Sequence, residues 1–357
     1  MTARPTTPAR ARRLAIVRLT SLGDVIHTLP VAAAIKRQEP KSRVIWLAEE
    51  RERIVLDDNP VVDEVIAVPL RRWREMARRP SGLRQANREF RALRRVLREL
   101  KLDAALDVQG WPHKTSPLAW LSRAPLRIGF SRAFARHPLA TLFTTERVTP
   151  PADARHIVDQ NLALLGPLAI RTSDPAEFPL PRFAEAETWA AAWWHAHRLA
   201  GCRVVALLPS TRGAAKLWPV ASYRALAARF LDHPSTVVLV LGGPGEEQCL
   251  TDVIADAAPA RAFAVAPGPI PHLVGLLRRV DLAVGNDTGP IHVAAASHVP
   301  SLGLFGPTRG DRNGPYGPLG RYVQSPTKNM NDIGVDAVWD AVARMPAKPA
   351  SELRNSS

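Results

Sequence analysis

The feature of this chain that most constrains its fold is the alternation of short apolar runs with helical patterns. Eight runs have the length and composition of strands: 14–19, 43–48, 63–68, 103–108, 202–208, 235–243, 282–287 and 300–306. Helical patterns lie between most of them, at 24–37, 84–101, 220–232 and 271–280. Short β-rich runs separated by helices are typical of parallel sheets built from βαβ units. The sequence therefore predicts an α/β protein with doubly wound sheets.

The alternation is interrupted in the middle of the chain. Residues 144–185 are rich in proline and polar residues, and the strand–helix rhythm restarts near 202. A chain of 357 residues also exceeds the size at which one hydrophobic core keeps growing. We therefore predict two Rossmann-like domains, 1–180 and 181–345, which face a central cleft, followed by a flexible tail at 346–357.

The charge of the chain indicates an anionic partner. There are 48 Lys and Arg against 33 Asp and Glu, a formal net charge of +15. Such a positive charge favours one of three anionic partners: a nucleic acid, an acidic membrane surface or a phosphorylated substrate. Two cysteines cannot form a disulfide framework, and the apolar stretch near the N-terminus, interrupted by Arg18, is too short for a signal peptide or a membrane span. These features predict a cytoplasmic protein that touches a membrane electrostatically.

Three polar loops each follow a predicted strand and precede a predicted helix. In open α/β sheets, ligands bind beyond the carboxyl ends of the strands. In the first loop, "RLTSLGDVIHTLP" (18–30), Asp24 opens a helix. An aspartate there is either the cap of the helix or a general base within reach of an acceptor hydroxyl.

The second loop, "LPSTRGAAKLWP" (208–219), offers Ser210, Thr211 and Lys216 as donors to phosphate. It lacks the P-loop pattern, so the alternative is an ordinary loop lysine beside a capping serine.

The third loop lies within "VGNDTGPIHVAAA" (284–296). Asp287, Thr288 and Gly289 come between a strand and a helix, and His292 lies on the first turn. Free N–H groups and the macrodipole at a helix N-terminus bind phosphate, although a simple capped helix has the same pattern. The chain has no D-x-D, no H-E-x-x-H and no zinc spacing. We therefore predict neither a metal nor a cofactor, and assign diphosphate charge to Lys216 and to helix N-termini.

An arginine-rich stretch spans 71–101, with twelve Arg and Lys against three Glu. From 84 onward apolar residues recur at three- and four-residue steps, which indicates an amphipathic helix with a solvated cationic face. "LRRWRE" (70–75) comes directly after a predicted strand, where ligand loops lie.

Taken together, the three loops resemble the lipopolysaccharide core heptosyltransferases, inverting enzymes with the two-domain GT-B architecture. The resemblance lies in "SLGDVIHTLP", "STRGAAKLWP" and "NDTGPIHVAAA" followed by "LFGPT" (304–308), and it spans roughly 13–345. "RRWR" (71–74) and "ARHPLATLF" (135–143) are most similar to the type I enzymes, which add the first heptose to Kdo. One departure is the "STRGAAK" segment, where the type I enzymes have two adjacent threonines and an acidic pair before the lysine.

The resemblance implies ADP-heptose as donor, a Kdo-containing lipid A type acceptor, and attachment to the inner leaflet. It implies Asp24 as general base and Lys216 as a catalytic residue at the diphosphate. It assigns one further set of residues to the donor: Ser21, Ser210, Thr211, Glu246 at the ribose, Asp287, Thr288, Gly289 and His292. It assigns another set to the anionic acceptor: Arg71, Arg72, Arg74 and Arg136.

Two alternatives stay open from the sequence. The first keeps the family but changes the activated sugar or the acceptor. The second is a nucleic-acid-binding protein that uses the arginine-rich segment, against which stand the absence of recognition motifs and an aromatic content of 6%.

Overall fold

The structure, a computed structural model, describes residues 11–78, 80–172, 175–211, 213–266 and 268–349. The chain forms two compact units that divide between Pro181 and Arg182. Each unit contains a six-stranded parallel sheet flanked by helices. The predicted α/β class with doubly wound sheets is confirmed.

In the N-terminal unit the strand order is β3-β2-β1-β4-β5-β6. The strands are β1 (Arg13–Val17), β2 (Arg43–Ala48), β3 (Glu64–Ala67), β4 (Ala104–Asp107), β5 (Leu126–Phe130) and β6 (Glu146–Val148). The helices are α1 (Leu22–Ile26), α2 (Leu29–Gln38), α3 (Leu70–Ala77), α4 (Pro80–Glu99), α5 (Ser116–Leu121) and α6 (Ile157–Ala163), with 3₁₀ turns at Glu50–Val55, Pro138–Phe143 and Gly166–Leu168.

The C-terminal unit repeats this topology with the order β12-β11-β10-β7-β8-β9. Its strands are β7 (Arg203–Leu208), β8 (Thr236–Leu241), β9 (Ala262–Val265), β10 (Leu282–Asn286), β11 (Ser301–Phe305) and β12 (Gly320–Gln324). Its helices are α7 (Ala184–Ala196), α8 (Val220–Leu231), α9 (Glu247–Val253), α10 (Ile270–Leu277), α11 (Gly289–Ala296), α12 (Gly310–Asn313) and α13 (Val335–Ala343), with 3₁₀ turns at Ala214–Lys216 and Met330–Asp332.

The central strands are buried on both faces, which explains their continuous aliphatic sequences. Residues 14–17 of β1 and 204–208 of β7 are all buried. A parallel sheet needs helices over both faces, so its inner strands are apolar throughout instead of alternating. Such strands are the ones that the sequence reveals best.

Two local predictions were wrong. The expected single helix 24–37 is two helices, α1 and α2, because Pro30 lies in the first turn of α2 and cannot continue a preceding helix. The segment expected as a loop, "LRRWRE", lies in helix α3.

The segment predicted as a flexible tail, 346–357, is described only as far as 349. There Lys348 is buried, and its Nζ donates to the carbonyl oxygens of Arg278 and Val280 at 2.6 and 3.2 Å. The remaining residues lie outside the described part of the chain. Among the residues described, no helix has both the length and the apolar character needed to cross a membrane.

Candidate active site

Both sheets have a topological switch point, where the chain leaves two adjacent strands in opposite directions along the sheet. In the N-terminal unit these strands are β1 and β4, and in the C-terminal unit they are β7 and β10. Such a point leaves a crevice outside the carboxyl ends of the strands, and ligands bind there. The first, second and third polar loops of the sequence follow β1, β7 and β10, so each lies at a switch point.

Arg18 spans the switch point of the N-terminal unit. It follows β1 directly and is only 5% exposed. Its Nη1 donates to the carbonyl oxygen of Val108, just beyond β4, at 3.2 Å, and its Nη2 forms an ion pair with Oδ1 of Asp24. The sequence pattern gave no reason to select Arg18, which only interrupts an apolar run.

Asp24 lies in the first turn of α1 and makes contacts with both its own helix cap and Arg18. Its Oδ2 accepts hydrogen bonds from the backbone N–H and the hydroxyl of Ser21 at 3.1 and 3.2 Å. Burial raises the pKa of Asp24, but the charge of Arg18 and the hydrogen bonds from Ser21 outweigh it, so the pKa lies below its usual value. Asp24 is therefore ionised at neutral pH, with 35% of its side chain exposed. Asp24 can therefore cap helix α1 and still accept a proton, since part of its carboxylate is exposed.

The arginines of α3 differ in their surroundings. Arg72 and Trp73 both donate to Oε2 of Glu89 on α4, each at 2.8 Å, so these two side chains hold α3 against α4. Arg71 is highly exposed and lies 3.7 Å from Glu75. Three arginines on α3 were predicted to bind the acceptor, and one of them, Arg72, is instead engaged in packing α3 against α4.

Arg74 and Arg136 belong to one group of cations with Lys114, a residue that the sequence did not single out. Burial and the positive charges of Arg74 and Arg136 lower the pKa of Lys114, while Glu49 opposes that shift. The guanidinium of Arg136 lies 5.2 Å from the ring centroid of Trp111. This cluster follows β3, β4 and β5, at the same sheet edge as Asp24, and it fits an anionic ligand with an apolar face.

In the C-terminal unit, Asn286 connects the loops after β7 and β10 by hydrogen bonds. It ends β10 and is fully buried; its Nδ2 donates to the carbonyl oxygen of Pro209, and its Oδ1 accepts from the backbone N–H of Trp218 at 3.2 Å. The Trp218 ring is buried, and its Nε1 donates to the carbonyl oxygen of Ile333 at 2.8 Å. These bonds fix the loop that carries Lys216.

Lys216 and Asp287, 71 positions apart, meet at this switch point. Lys216 Nζ donates to Oδ2 of Asp287 at 2.6 Å, and Thr308 Oγ1 donates to the same oxygen at 2.7 Å. His292 Nε2 lies 3.6 Å from Oδ1. Burial raises the pKa of Asp287, but His292 and Lys216 have the larger opposite effect and hold this pKa well below its usual range. Asp287 is thus an anion that orients Lys216, and Thr308, missed by the sequence analysis, supports it.

The remaining loop residues offer further hydrogen-bond donors. Ser210 Oγ is buried and has no hydrogen-bond partner among the described residues. Thr288 is the N-cap residue of α11, and its side chain makes no capping hydrogen bond. Gly289 is the first residue of that helix, whose free N–H groups lie beside Asp287. Thr211, next to Ser210, is half-buried.

Glu246 lies apart from these residues, after β8. Its Oε2 accepts from the backbone N–H of Gly243 at 2.6 Å, so the side chain folds over the end of the strand. The adjacent Gly242 leaves room for it, because a Cβ there would lie 2.9 Å from Oε2. Within the described part of the chain, no group of three or more His, Cys, Asp or Glu residues could hold a metal ion.

The sequence matches the model of glycosyltransferase family 9 (heptosyltransferase) over residues 90–338. It is 32% identical over 312 residues to lipopolysaccharide heptosyltransferase 1 of Pseudomonas aeruginosa, covering 85% of this chain and 81% of that protein. It is 28% identical over 337 residues to lipopolysaccharide heptosyltransferase 1 of Escherichia coli K12, covering 93% of this chain and 100% of that protein.

Solved structures give the same result for the fold. The E. coli heptosyltransferase WaaC with ADP superposes with a TM-score of 0.76 at 23% identity, over 93% of this chain and 99% of that one. The E. coli ADP-heptose lipopolysaccharide heptosyltransferase II superposes with a TM-score of 0.70 at 19% identity, over 97% and 100%. The fold is therefore the GT-B fold of these enzymes, as predicted.

Proposed function

Because the chain belongs to glycosyltransferase family 9, the heptosyltransferases, we propose that it transfers heptose from ADP-heptose to the Kdo-containing inner core of lipopolysaccharide, with inversion at the anomeric carbon. The observation that carries the proposal is the ionised, partly exposed carboxylate of Asp24 at the switch point of the N-terminal unit. Such a carboxylate suits a general base.

The donor assignment rests on the C-terminal unit and on the relatives. The WaaC enzyme of E. coli has been solved with ADP and with ADP-2-deoxy-2-fluoro heptose. In this chain the donors that a diphosphate needs are offered by Lys216, by the N-terminus of α11 and by the hydroxyl of Ser210, which has no partner among the residues that the structure describes. Glu246 has a second carboxylate oxygen for a ribose hydroxyl.

The chemistry is a single displacement. Asp24 removes the proton from an acceptor hydroxyl while the oxygen of that hydroxyl forms a bond to the anomeric carbon of heptose. The bond from that carbon to the β-phosphate oxygen breaks, and ADP leaves with the electron pair. Lys216 and the helix N-terminus stabilise the negative charge that develops on the diphosphate.

The acceptor assignment rests on the cation cluster. Arg74, Lys114 and Arg136 gather positive charge beside Trp111. Kdo carries a carboxylate, and arginine binds carboxylates through two parallel hydrogen bonds. Because this acceptor is lipid-linked, we also propose that the enzyme acts at the cytoplasmic face of the inner membrane as a peripheral protein.

A donor screen tests the proposal. Purified enzyme is incubated with de-acylated Kdo-containing acceptor and each of several nucleotide-activated sugars, and release of the nucleoside diphosphate is measured. We expect ADP-heptose to give the highest kcat/KM. A higher value for another activated sugar would support the alternative within the family, and no turnover with any Kdo-containing acceptor would contradict the acceptor assignment.

A further inference from the structure

The three most exposed large apolar side chains among the described residues of the N-terminal unit have no role in the site described above. Trp120 on α5 is 55% exposed, and Leu139 and Leu142 on the 3₁₀ turn Pro138–Phe143 are 54% and 73% exposed. Their neighbours in sequence are buried: Ala119 and Leu121 beside Trp120, and Ala140 and Thr141 between the leucines. The folded unit therefore turns these three side chains outward.

The three side chains lie on adjacent elements. Helix α5 contacts both the 3₁₀ turn Pro138–Phe143 and α4. In a 3₁₀ helix, side chains three residues apart lie one above the other, so Leu139 and Leu142 share one face. Exposed apolar side chains on elements in contact mark an interaction surface more often than scattered single residues do; Trp120, Leu139 and Leu142 are called the apolar patch below.

The elements beside the apolar patch carry an excess of positive charge. A groove of about 500 Å³ along α4 is lined by Arg91, Arg94, Arg95, Arg98, Glu99 and Lys101. Arg123 lies just past the end of α5, three residues after Trp120. Burial and the charges of Arg123 and Arg94 lower the pKa of Arg98, so these cations lie close together. Glu99, the one acid in the groove lining, lies 3.9 Å from Arg95. No Asp or Glu occurs between Asp107 and Glu146 in the sequence.

We propose that Trp120, Leu139 and Leu142, with Arg94, Arg98 and Arg123 beside them, form the surface through which the enzyme docks on an anionic membrane. The inference rests on the proposed function for the lipid-linked nature of the acceptor, and it names the surface that meets the lipid. Trp and Leu side chains enter the headgroup region, and arginines next to them bind lipid phosphates.

Charge complementarity favours a lipid surface over the other occupants. In a symmetric contact with a second copy of the chain, the same patch faces itself, so arginines would oppose arginines. The phosphates of a nucleic acid would pair with the arginines, but they would leave the exposed leucines in water. An anionic bilayer satisfies both the charged and the apolar part.

Flotation of the full chain with vesicles tests the docking surface. Vesicles of phosphatidylcholine alone are compared with vesicles containing phosphatidylglycerol, with neither donor nor acceptor present. We expect binding to the anionic vesicles and a fall of about tenfold or more in the partition coefficient for Trp120→Ser combined with Leu142→Ser. The matched control is Ile54→Ser, at an exposed apolar residue elsewhere in the same unit.

A second pair of variants separates this surface from the overall charge. Changing Arg94, Arg98 and Arg123 to Gln should weaken binding at least fivefold more than changing Arg155, Arg198 and Arg344 to Gln, although both variants lose three charges. Equal binding of the two arginine variants, or wild-type binding by the serine variant, would overturn the proposal. A wild-type dimer in light scattering that becomes monomeric in the serine variant would assign the patch to a second copy and would also overturn it.

Activity distinguishes this inference from the proposed function. With a de-acylated soluble acceptor, the serine variant should keep the kcat/KM of the wild type, whereas its rate on acceptor embedded in anionic vesicles should fall about tenfold. If the wild-type enzyme transfers no heptose to either acceptor, the proposed function fails. The vesicle-binding result still decides whether the surface binds lipid.

Discussion

Arg18 and Asp24 form an ion pair in which the arginine is buried and the carboxylate is partly exposed. The guanidinium also donates to the carbonyl oxygen of Val108, so the pair links the loops after β1 and β4. Asp24 is therefore held at one place and in one charge state, and both properties lead to predictions.

Asp24→Asn should lower kcat by about 10²–10⁴-fold, the usual contribution of a general base. It should also lower the melting temperature, because Arg18 is left buried opposite a neutral amide. The measurement is steady-state kinetics with thermal unfolding. The matched control is Asp63→Asn, because Asp63 is equally exposed and ion-paired with Lys36 but lies before β3, at the other end of the strands. Equal activity of the two variants would remove Asp24 from catalysis.

Arg18→Gln should move the acid limb of the pH profile of kcat/KM to higher pH. In the wild type, the charge of Arg18 keeps the pKa of Asp24 below its usual value, so the base stays ionised as the pH falls towards 4. Without that charge, burial remains and raises the pKa, and protonation then begins at higher pH. Arg18→Lys keeps a cation and should restore most of the acid limb. A profile of Arg18→Gln that coincides with the wild type would contradict the role of Arg18 as a positioning residue.

Lys216→Ala should weaken ADP binding and slow the reaction by about 10²–10³-fold, as expected for the loss of a donor to developing negative charge. Calorimetric titration with ADP and turnover measurements check this, with Lys41→Ala as the control for removal of an exposed lysine. Thr308→Val removes one of two hydrogen bonds to Oδ2 of Asp287 and should give a smaller loss of the same kind. An effect of Thr308→Val larger than that of Lys216→Ala would contradict this arrangement.

Wild-type activity should be largely insensitive to EDTA. The sequence predicts no metal, and the proposed diphosphate site uses Lys216 and the N-terminus of α11 in place of a cation. Turnover is measured after removal of divalent ions and after addition of magnesium. Abolition of activity by EDTA with recovery in magnesium would show that the diphosphate needs a cation.

Arg74→Lys should raise the acceptor KM about tenfold while the Kd for ADP stays unchanged. Lysine keeps the charge, but it cannot form two parallel hydrogen bonds to a carboxylate. Arg88→Lys on α4, at an exposed residue outside the cation cluster, is the control and should change neither constant. The experiment uses de-acylated acceptor, varied independently of the donor. An unchanged acceptor KM for Arg74→Lys would place the acceptor away from this cluster.

Among the described strands, the sequence revealed β1 to β4, β7, β8, β10 and β11 and missed β5, β6, β9 and β12, three of which lie at sheet edges. Strands β1, β2, β7, β8, β10 and β11 are continuous apolar runs because helices cover both of their faces. Strands β6 and β12 lie at sheet edges, and their sequences, "ERV" and "GRYVQ", carry exposed charged residues. An edge strand is open to solvent along one side, so its apolar signal is weaker. The edge strand β3 was nevertheless predicted from its apolar residues, whereas the inner strand β5, "LRIGF", was missed because Arg127 and Gly129 interrupt its apolar run.

The sequence located polar residues in loops that follow strands, and residues from two of these loops meet in the structure. Lys216 and Asp287 were assigned to one diphosphate site, and their side chains are in contact. Arg18 was missed because it only interrupts an apolar run. Lys114 and Thr308 were missed because they interact with residues of other loops, and sequence spacing does not report such contacts. Helix α3 was taken for a loop because its arginines and Trp73 directly follow a strand, where ligand-binding loops lie.

The division of the chain between Pro181 and Arg182 has an evolutionary consequence. Under the proposed function, the base and the acceptor residues precede this point, and the diphosphate and ribose residues Lys216, Ser210 and Glu246 follow it. A recombination event at the junction would exchange one specificity and leave the other intact.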